Sequence, residues 1–189
     1  MVIGVLSLQG AFGLHQKILS SNNVHSILVR DSLSLMNCDA LIIPGGESTV
    51  LSKLIEKHNL DTAIKDFSDT RPVFGTCAGM ILMSKDANDS KVSPLNLIDI
   101  TVDRNAWGRQ INSFNDNILI GDYDFDAIFI RAPKIKSLGS SVNVIAKYKN
   151  NPVLVSNGKH MAASFHPELT NDPLIHNIFI ENILSYGIA

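Results

Sequence analysis

Three short apolar runs dominate the first half of the chain, and each breaks at a turn and gives way to a segment of helical period. Val2 to Leu8 precedes Gln9-Gly10 and a helix expected over Phe12 to Ser21, with Leu14, Ile18 and Leu19 on one face. Ala40 to Ile43 precedes Pro44-Gly45-Gly46 and the periodic set Val50, Leu51, Leu54 and Ile55, expected to be helical over Val50 to His58. Val73-Phe74 precedes Gly75-Thr76-Cys77-Ala78-Gly79 and a helix to about Met83. A strand at His25 to Val29 and a helix at Asp61 to Phe67 complete the alternation. A helix between two strands returns the chain to the same sheet edge, so the strands run parallel, and a parallel sheet must be covered on both faces. The expectation is an α/β fold, a three-layer sandwich around a mostly parallel sheet.

After residue 84 the texture changes. Lys85 to Asn96 is polar and reads as a loop. Leu97 to Val102, Ile118 to Ile120, Ala127 to Ile130, Val142 to Ala146 and Val153 to Val155 read as shorter strands, partly antiparallel, followed by a strand from Gly158 to Phe165. A last helix is expected from Pro173, capped by Asn171 or Asp172 and stopped by Gly187. With no repeat, low-complexity tract or linker, residues 1–189 read as one domain. The net charge of −2 leaves no footprint for nucleic acid or anionic membrane. No apolar run approaches transmembrane length, and Val2 to Leu8 lacks the flanks of a signal peptide. The two cysteines, Cys38 and Cys77, show no metal-ligand spacing, and a working thiol fits a reducing, cytoplasmic compartment.

Cys77 carries the strongest chemical signal. It stands between Gly75 and Gly79 at a strand-to-helix junction, the cysteine form of a nucleophile elbow. The first turn of a helix favours a thiolate there. The same residues also fit a buried structural thiol. A nucleophile needs a base and the base an orienting group. His166-Pro167-Glu168 offers both at a strand end: if Pro167 keeps His166 extended, Glu168 two residues on falls on the same side. An incidental pair at a surface strand end is the competing reading. His15, His25, His58, His160 and His176 read as surface or structural residues. In Pro44-Gly45-Gly46-Glu47-Ser48-Thr49, Ser48 or Thr49 can cap the following helix. Its glycines can turn the Gly46 N–H inward, to form an oxyanion hole with the N–H of Ala78. An ordinary strand-to-helix turn uses the same residue types. Arg104 and Arg109 flank an amide and an indole, which suits a carboxylate ligand or equally a solvated turn.

Pro44-Gly45-Gly46, Gly75-Thr76-Cys77-Ala78-Gly79 and His166-Pro167-Glu168, in this order and at these intervals, resemble the class I (triad) glutamine amidotransferases. A second set occurs with them: Leu8-Gln9-Gly10-Ala11 with His15, Gly45 to Thr49, Asp103 to Gln110 with Ser113-Phe114, Phe129-Ile130-Arg131-Ala132-Pro133 and Phe165 to Thr170. It resembles the family of glutaminase subunits of pyridoxal 5'-phosphate synthase, over residues 3 to about 185. The resemblance implies hydrolysis of L-glutamine by Cys77, His166 and Glu168, with Gly46 and Ala78 as oxyanion donors. It assigns glutamine contacts to Gly46, Glu47, Ser48, Arg104, Ile130 and Arg131, and leaves Arg109 between contact and structure. It implies no cofactor and no metal. Ammonia would pass to a (β/α)8-barrel synthase subunit in a large hetero-oligomer, with docking near Gln9-Gly10 gating a Gly45-Gly46 peptide flip. An imidazole glycerol phosphate glutaminase would share the triad without the second set. A cysteine peptidase would share the elbow without His166-Pro167-Glu168.

Overall fold

The structure, a computed structural model, describes residues 1–104 and 113–186. Its elements are β1 (Val2–Leu6), α1 (Phe12–Ser21), β2 (His25–Val29), α2 (Ser32–Met36), β3 (Ala40–Ile43), α3 (Ser48–Lys57), α4 (Leu60–Thr70), β4 (Val73–Thr76) and α5 (Ala78–Met83). There follow β5 (Ser84–Asp86), β6 (Ile98–Asp103), β7 (Ser113–Ile120), β8 (Tyr123–Ile130), β9 (Lys134–Leu138), β10 (Asn143–Tyr148), β11 (Asn151–Ser156), β12 (Met161–Ala163), a 3-10 turn (Pro167–Leu169) and α6 (Leu174–Ser185).

The main sheet has seven strands in the order β10-β11-β12-β4-β3-β1-β2. The run from β12 to β2 is parallel, and β11 and β10 join it antiparallel. Period-two alternation divides the core between the faces. Leu41 and Ile43 of β3 pack into the layer of α2, α3, α4 and α5, whereas Ala40 and Ile42 face the layer of α1 and α6. The expected three-layer, mostly parallel α/β sandwich is the observed one. Among the described residues no helix is long and apolar enough to cross a membrane.

Departures from the sequence reading lie where local signals compete. Helix α2 went unread because Ser32–Met36 is short. Asp31 makes it, accepting the Ser34 N–H at 2.8 Å in a capping box. Strand β5 occupies the start of the segment expected as loop, and β9 was not expected at all; its alternation Lys134-Ile135-Lys136 buries only Ile135. Strands β7 and β8 are longer than their apolar cores because they form a hairpin closed at Gly121-Asp122, where polar side chains line an exposed face. The Gly158 to Phe165 strand shrinks to Met161–Ala163, since Gly158 sits in a turn at φ +89°. Helix α3 is capped by Glu47 and not by Ser48 or Thr49: its carboxylate accepts the N–H groups of Thr49 and Val50. Pro173 is the cap of α6 and not its first residue, with Asp172 Oδ1 accepting the Leu174 N–H at 2.9 Å. The expected stop at Gly187 lies outside the described residues.

Candidate active site

Strand register assembles the site. Pairing of β4 with β12 sets Thr76 beside Ala163, and the Cys77 N–H donates to Ala163 O at 2.8 Å. Pairing of β3 with β4 sets Ile43 beside Gly75, and the Gly45 N–H donates to Thr76 Oγ1 at 3.0 Å. The glycine loop, Cys77 and His166 therefore meet at the carboxyl ends of adjacent strands, where open parallel sheets hold ligands.

Cys77 caps α5 with φ 49° and ψ −102°. A non-glycine residue in this region stores strain of about 1–3 kcal/mol. The conformation lifts the side chain off the sheet at the head of the helix. It requires α5 to cross tightly over β3: a methyl at Gly79 would collide with the Ile43 carbonyl, which explains the glycine there. Cys77 is 6% exposed, and its Sγ lies 3.7 Å from Ile130 O. Cys38 differs. Burial pushes its thiol up to about 11, and it donates to Ser34 O inside the core.

His166 Nδ1 is 2.7 Å from Glu168 Oε1. The expected geometry is corrected here. Pro167 does not prolong an extended strand; it opens a 3-10 turn, with Leu169 N–H donating to His166 O. The turn, not pleat alternation, folds Glu168 back onto the ring. Burial works against a charged His166, but hydrogen bonds with Cys77 and Glu168 outweigh it and raise the pKa to about 10. Burial likewise opposes ionisation of Glu168, yet the neighbouring His15 and the bond to His166 hold its carboxyl below the usual range. These contacts favour the protonated ring, which stands between a sulfur and a buried carboxylate.

Behind this pair lies a polar network that the sequence reading passed over. His15 Nε2 is 3.3 Å from Thr76 Oγ1 and 3.4 Å from Glu168 Oε2, and its Nδ1 is 2.9 Å from His176 Nε2. Both histidines are fully buried; burial lowers the pKa of His15, and takes that of His176 down to about 3. A usable signal existed: His15 stands three and four residues before Ile18 and Leu19, and His176 three before Phe179, so each shares its helix's apolar face.

Gln9 and Gly10 brace the glycine loop. Gln9 Oε1 accepts the Glu47 N–H at 3.0 Å, and Ala11 N–H donates to Gly45 O at 3.2 Å. Gly10, at φ +101°, touches Gly45 so closely that no side chain fits.

A cleft of about 630 Å³ opens over these groups. Its walls include Gly46, Glu47, Ser48, Cys77, Arg104, Ile130, Arg131 and His166. Arg104 is engaged on both sides, donating to Glu47 Oε1 at 2.6 Å and to Asp89 Oδ2 at 2.8 Å; Asp89 was not anticipated. The Ser48 hydroxyl is buried at the cleft wall and has no partner among the described residues. Arg109 lies outside the described residues. Among the described residues no group of three or more His, Cys, Asp or Glu side chains could hold a metal ion.

Residues 5–185 match the SNO glutamine amidotransferase family. The chain belongs to that family. Pyridoxal 5'-phosphate synthase subunit PdxT of Desulforamulus reducens is 47% identical over 187 residues, 97% of this chain and 100% of the relative. The protein of the same name from Pelotomaculum thermopropionicum is 44% identical over 191 residues, 99% of this chain and 97% of the relative. A crystal structure of a glutamine amidotransferase, 39% identical, has a TM-score of 0.91, covering 97% of this chain and 99% of that one. A cysteine at a strained strand-to-helix junction, an imidazole beside it and a cleft with polar walls are the kinds of group that nucleophilic acyl transfer uses.

Proposed function

We propose that this glutaminase hydrolyses L-glutamine to L-glutamate and ammonia through a Cys77-His166-Glu168 triad. We further propose that it passes the ammonia to a (β/α)8-barrel synthase subunit of a large hetero-oligomer that makes pyridoxal 5'-phosphate. The observation that carries the reading is the strained Cys77 beside a His166 held at Nδ1 by Glu168. The names of the relatives support the service to vitamin B6 synthesis. The chain works as one glutaminase domain, residues 1–189, in a cytoplasmic setting that keeps its thiol reduced.

The reaction runs in two halves. Cys77 thiolate attacks the side-chain amide carbon, and the oxyanion is taken by the N–H groups of Gly46 and Ala78. His166 gives a proton to the leaving ammonia. It then takes one from water, which hydrolyses the γ-glutamyl thioester and releases glutamate. Glu168 stabilises the imidazolium in each half. Gly46, Glu47, Ser48, Arg104, Ile130 and Arg131 hold the amino acid. Arg104 and the free Ser48 hydroxyl are the natural polar contacts, and Arg104 exchanges a protein carboxylate for that of glutamine.

Coupling to the synthase runs through Gln9-Gly10. These residues support the reading because they border both bonds that tie the loop, Glu47 N–H to Gln9 and Ala11 N–H to Gly45 O. A partner pressing there shifts the Gly45-Gly46 peptide and with it the Gly46 donor. The test is glutamate release measured over a titration with the candidate synthase. Low activity alone, strong stimulation, and a weaker stimulation in Gln9→Ala are expected. Full activity without partner, or unchanged stimulation in Gln9→Ala, overturns the gate; no glutamate release under any condition overturns the reading itself.

A further inference from the structure

Glu168 uses one carboxylate oxygen on His166; the other, Oε2, is buried, has no hydrogen-bond partner among the described residues and lies 3.4 Å from His15 Nε2. The same ring nitrogen reaches Thr76 Oγ1 at 3.3 Å, and that hydroxyl accepts the Gly45 N–H at 3.0 Å. One imidazole thus stands between the outer member of the triad and the loop that carries the Gly46 donor.

The contacts select its tautomer. A lone pair on His15 Nε2 would face a carboxylate oxygen, so this nitrogen carries the proton. His15 Nδ1 then accepts from His176 Nε2–H, and His176 Nδ1 is left as the acceptor end. Among the described residues that atom has no partner. The opposite tautomer would strand a buried N–H there, the costlier choice. Burial disfavours the charged form of both rings, in agreement with this assignment.

We propose that His15 is a positioning residue of the glutaminase reaction. Its Nε2–H faces Glu168 Oε2 at 3.4 Å and Thr76 Oγ1 at hydrogen-bond distance, 3.3 Å, and so keeps Glu168 and the Thr76-Gly45 pair in one relative placement, in which the base and the oxyanion loop reach the reacting carbon together. His176 sets the proton on the correct nitrogen. The proposal rests on the triad reading above. It differs from ordinary core packing in one respect: the nitrogen that matters for rate is Nε2, while the nitrogen that matters for satisfying His176 is Nδ1.

Amide side chains separate the two. In His15→Gln the side-chain nitrogen can reach the Nε2 position; in His15→Asn the amide reaches only the Nδ1 position; His15→Phe keeps volume and loses both. Glutamate release is measured at saturating and limiting glutamine with the synthase subunit added, and melting temperature is recorded for each. His15→Phe and His15→Asn should lose about 10- to 100-fold in kcat, the size of effect that a misplacement near 1 Å produces, with KM within about twofold. His15→Gln should recover most of the loss. Equal kcat in His15→Gln and His15→Asn, or wild-type kcat in His15→Phe, overturns the proposal. Should His15→Phe fail to fold, the comparison of the two amides still decides. A wild type no more active than Cys77→Ala would overturn the triad reading, and this proposal with it.

Discussion

The two walls of the cleft are built from opposite materials. On one side Cys77, His166 and Glu168 are 6%, 8% and 3% exposed, tied to β4, β12 and each other. On the other, Arg104 bridges Glu47 and Asp89 with side chains 27%, 41% and 23% exposed. Both walls carry polar pairs, but only one is much exposed to water. Buried partners cannot be exchanged without stranding a charge, a loss of about 3–5 kcal/mol. Exposed pairs are worth about 0–1 kcal/mol, so a guanidinium can leave one carboxylate for another at little cost. The dry wall suits chemistry that must not rearrange, and the wet wall suits recognition of a ligand that comes and goes.

Substitution should break this contrast most sharply at the sulfur. Cys77→Ala is expected to lower glutamate release on the order of 10⁴-fold or more while the melting temperature holds. A glutamine-like electrophile should label Cys77 and leave Cys38, whose buried thiol is held protonated near neutral pH. Labelling mainly at Cys38 would erase the distinction between the two thiols.

Next in size is Glu168→Gln, which keeps the shape of the contact to His166 and removes its charge. A loss of about 100-fold is expected, smaller than for His166→Ala. Unchanged turnover would take Glu168 out of the mechanism.

The same variant sharpens the comparison through pH. His166 has a raised folded-state pKa, so its stabilisation is fully present below about 6.5 and fades as pH climbs through about 10. Glu168 has a lowered one, so its contribution is present above the ordinary carboxylate pKa and fades as pH falls through the depressed value. Wild type should therefore exceed Glu168→Gln in melting temperature across the neutral range, with the gap closing toward pH 10. A gap that stays constant from pH 7 to 10 would count against a buried ion pair.

The smallest effect is expected on the wet wall. Arg104→Lys gives up the two-pronged guanidinium for a point charge. KM for glutamine should rise about tenfold, the equivalent of one charged hydrogen bond, with kcat nearly unchanged and stability within about 1 kcal/mol. A drop in kcat equal to that in kcat/KM would move Arg104 from recognition to chemistry.

Legibility in the sequence followed the range of the interactions. The elbow was readable because Gly75, Cys77 and Gly79 answer to a clash within five residues of chain and one neighbouring strand. The parallel sheet was readable because alternating apolar runs and helical periods are local patterns. Glu47 as the cap of α3 was missed, since Ser48 and Thr49 are equally good caps and only the backbone decides among three adjacent candidates. Strand β9 was missed because its burial depends on a partner, β6, more than thirty residues away. Asp89 gave no sign of its bond to Arg104, which spans fifteen residues of polar chain.

From the sequence alone came the residue types of the proposed reacting set, the order in which they occur and the sheet that carries them, because motif chemistry and period-two burial are properties of short segments. Tertiary structure alone decided which groups touch. The register of β4 against β12 joins positions 77 and 166, and the 3-10 turn, unforeseen from Pro167, swings Glu168 onto the ring. Helices α1 and α6, far apart in the chain, bring His15 to the buried carboxylate and His176 to the far side of the His15 ring. The physical reason is that a buried polar group must find a partner wherever the fold supplies one, and that supply is set by packing across the whole chain.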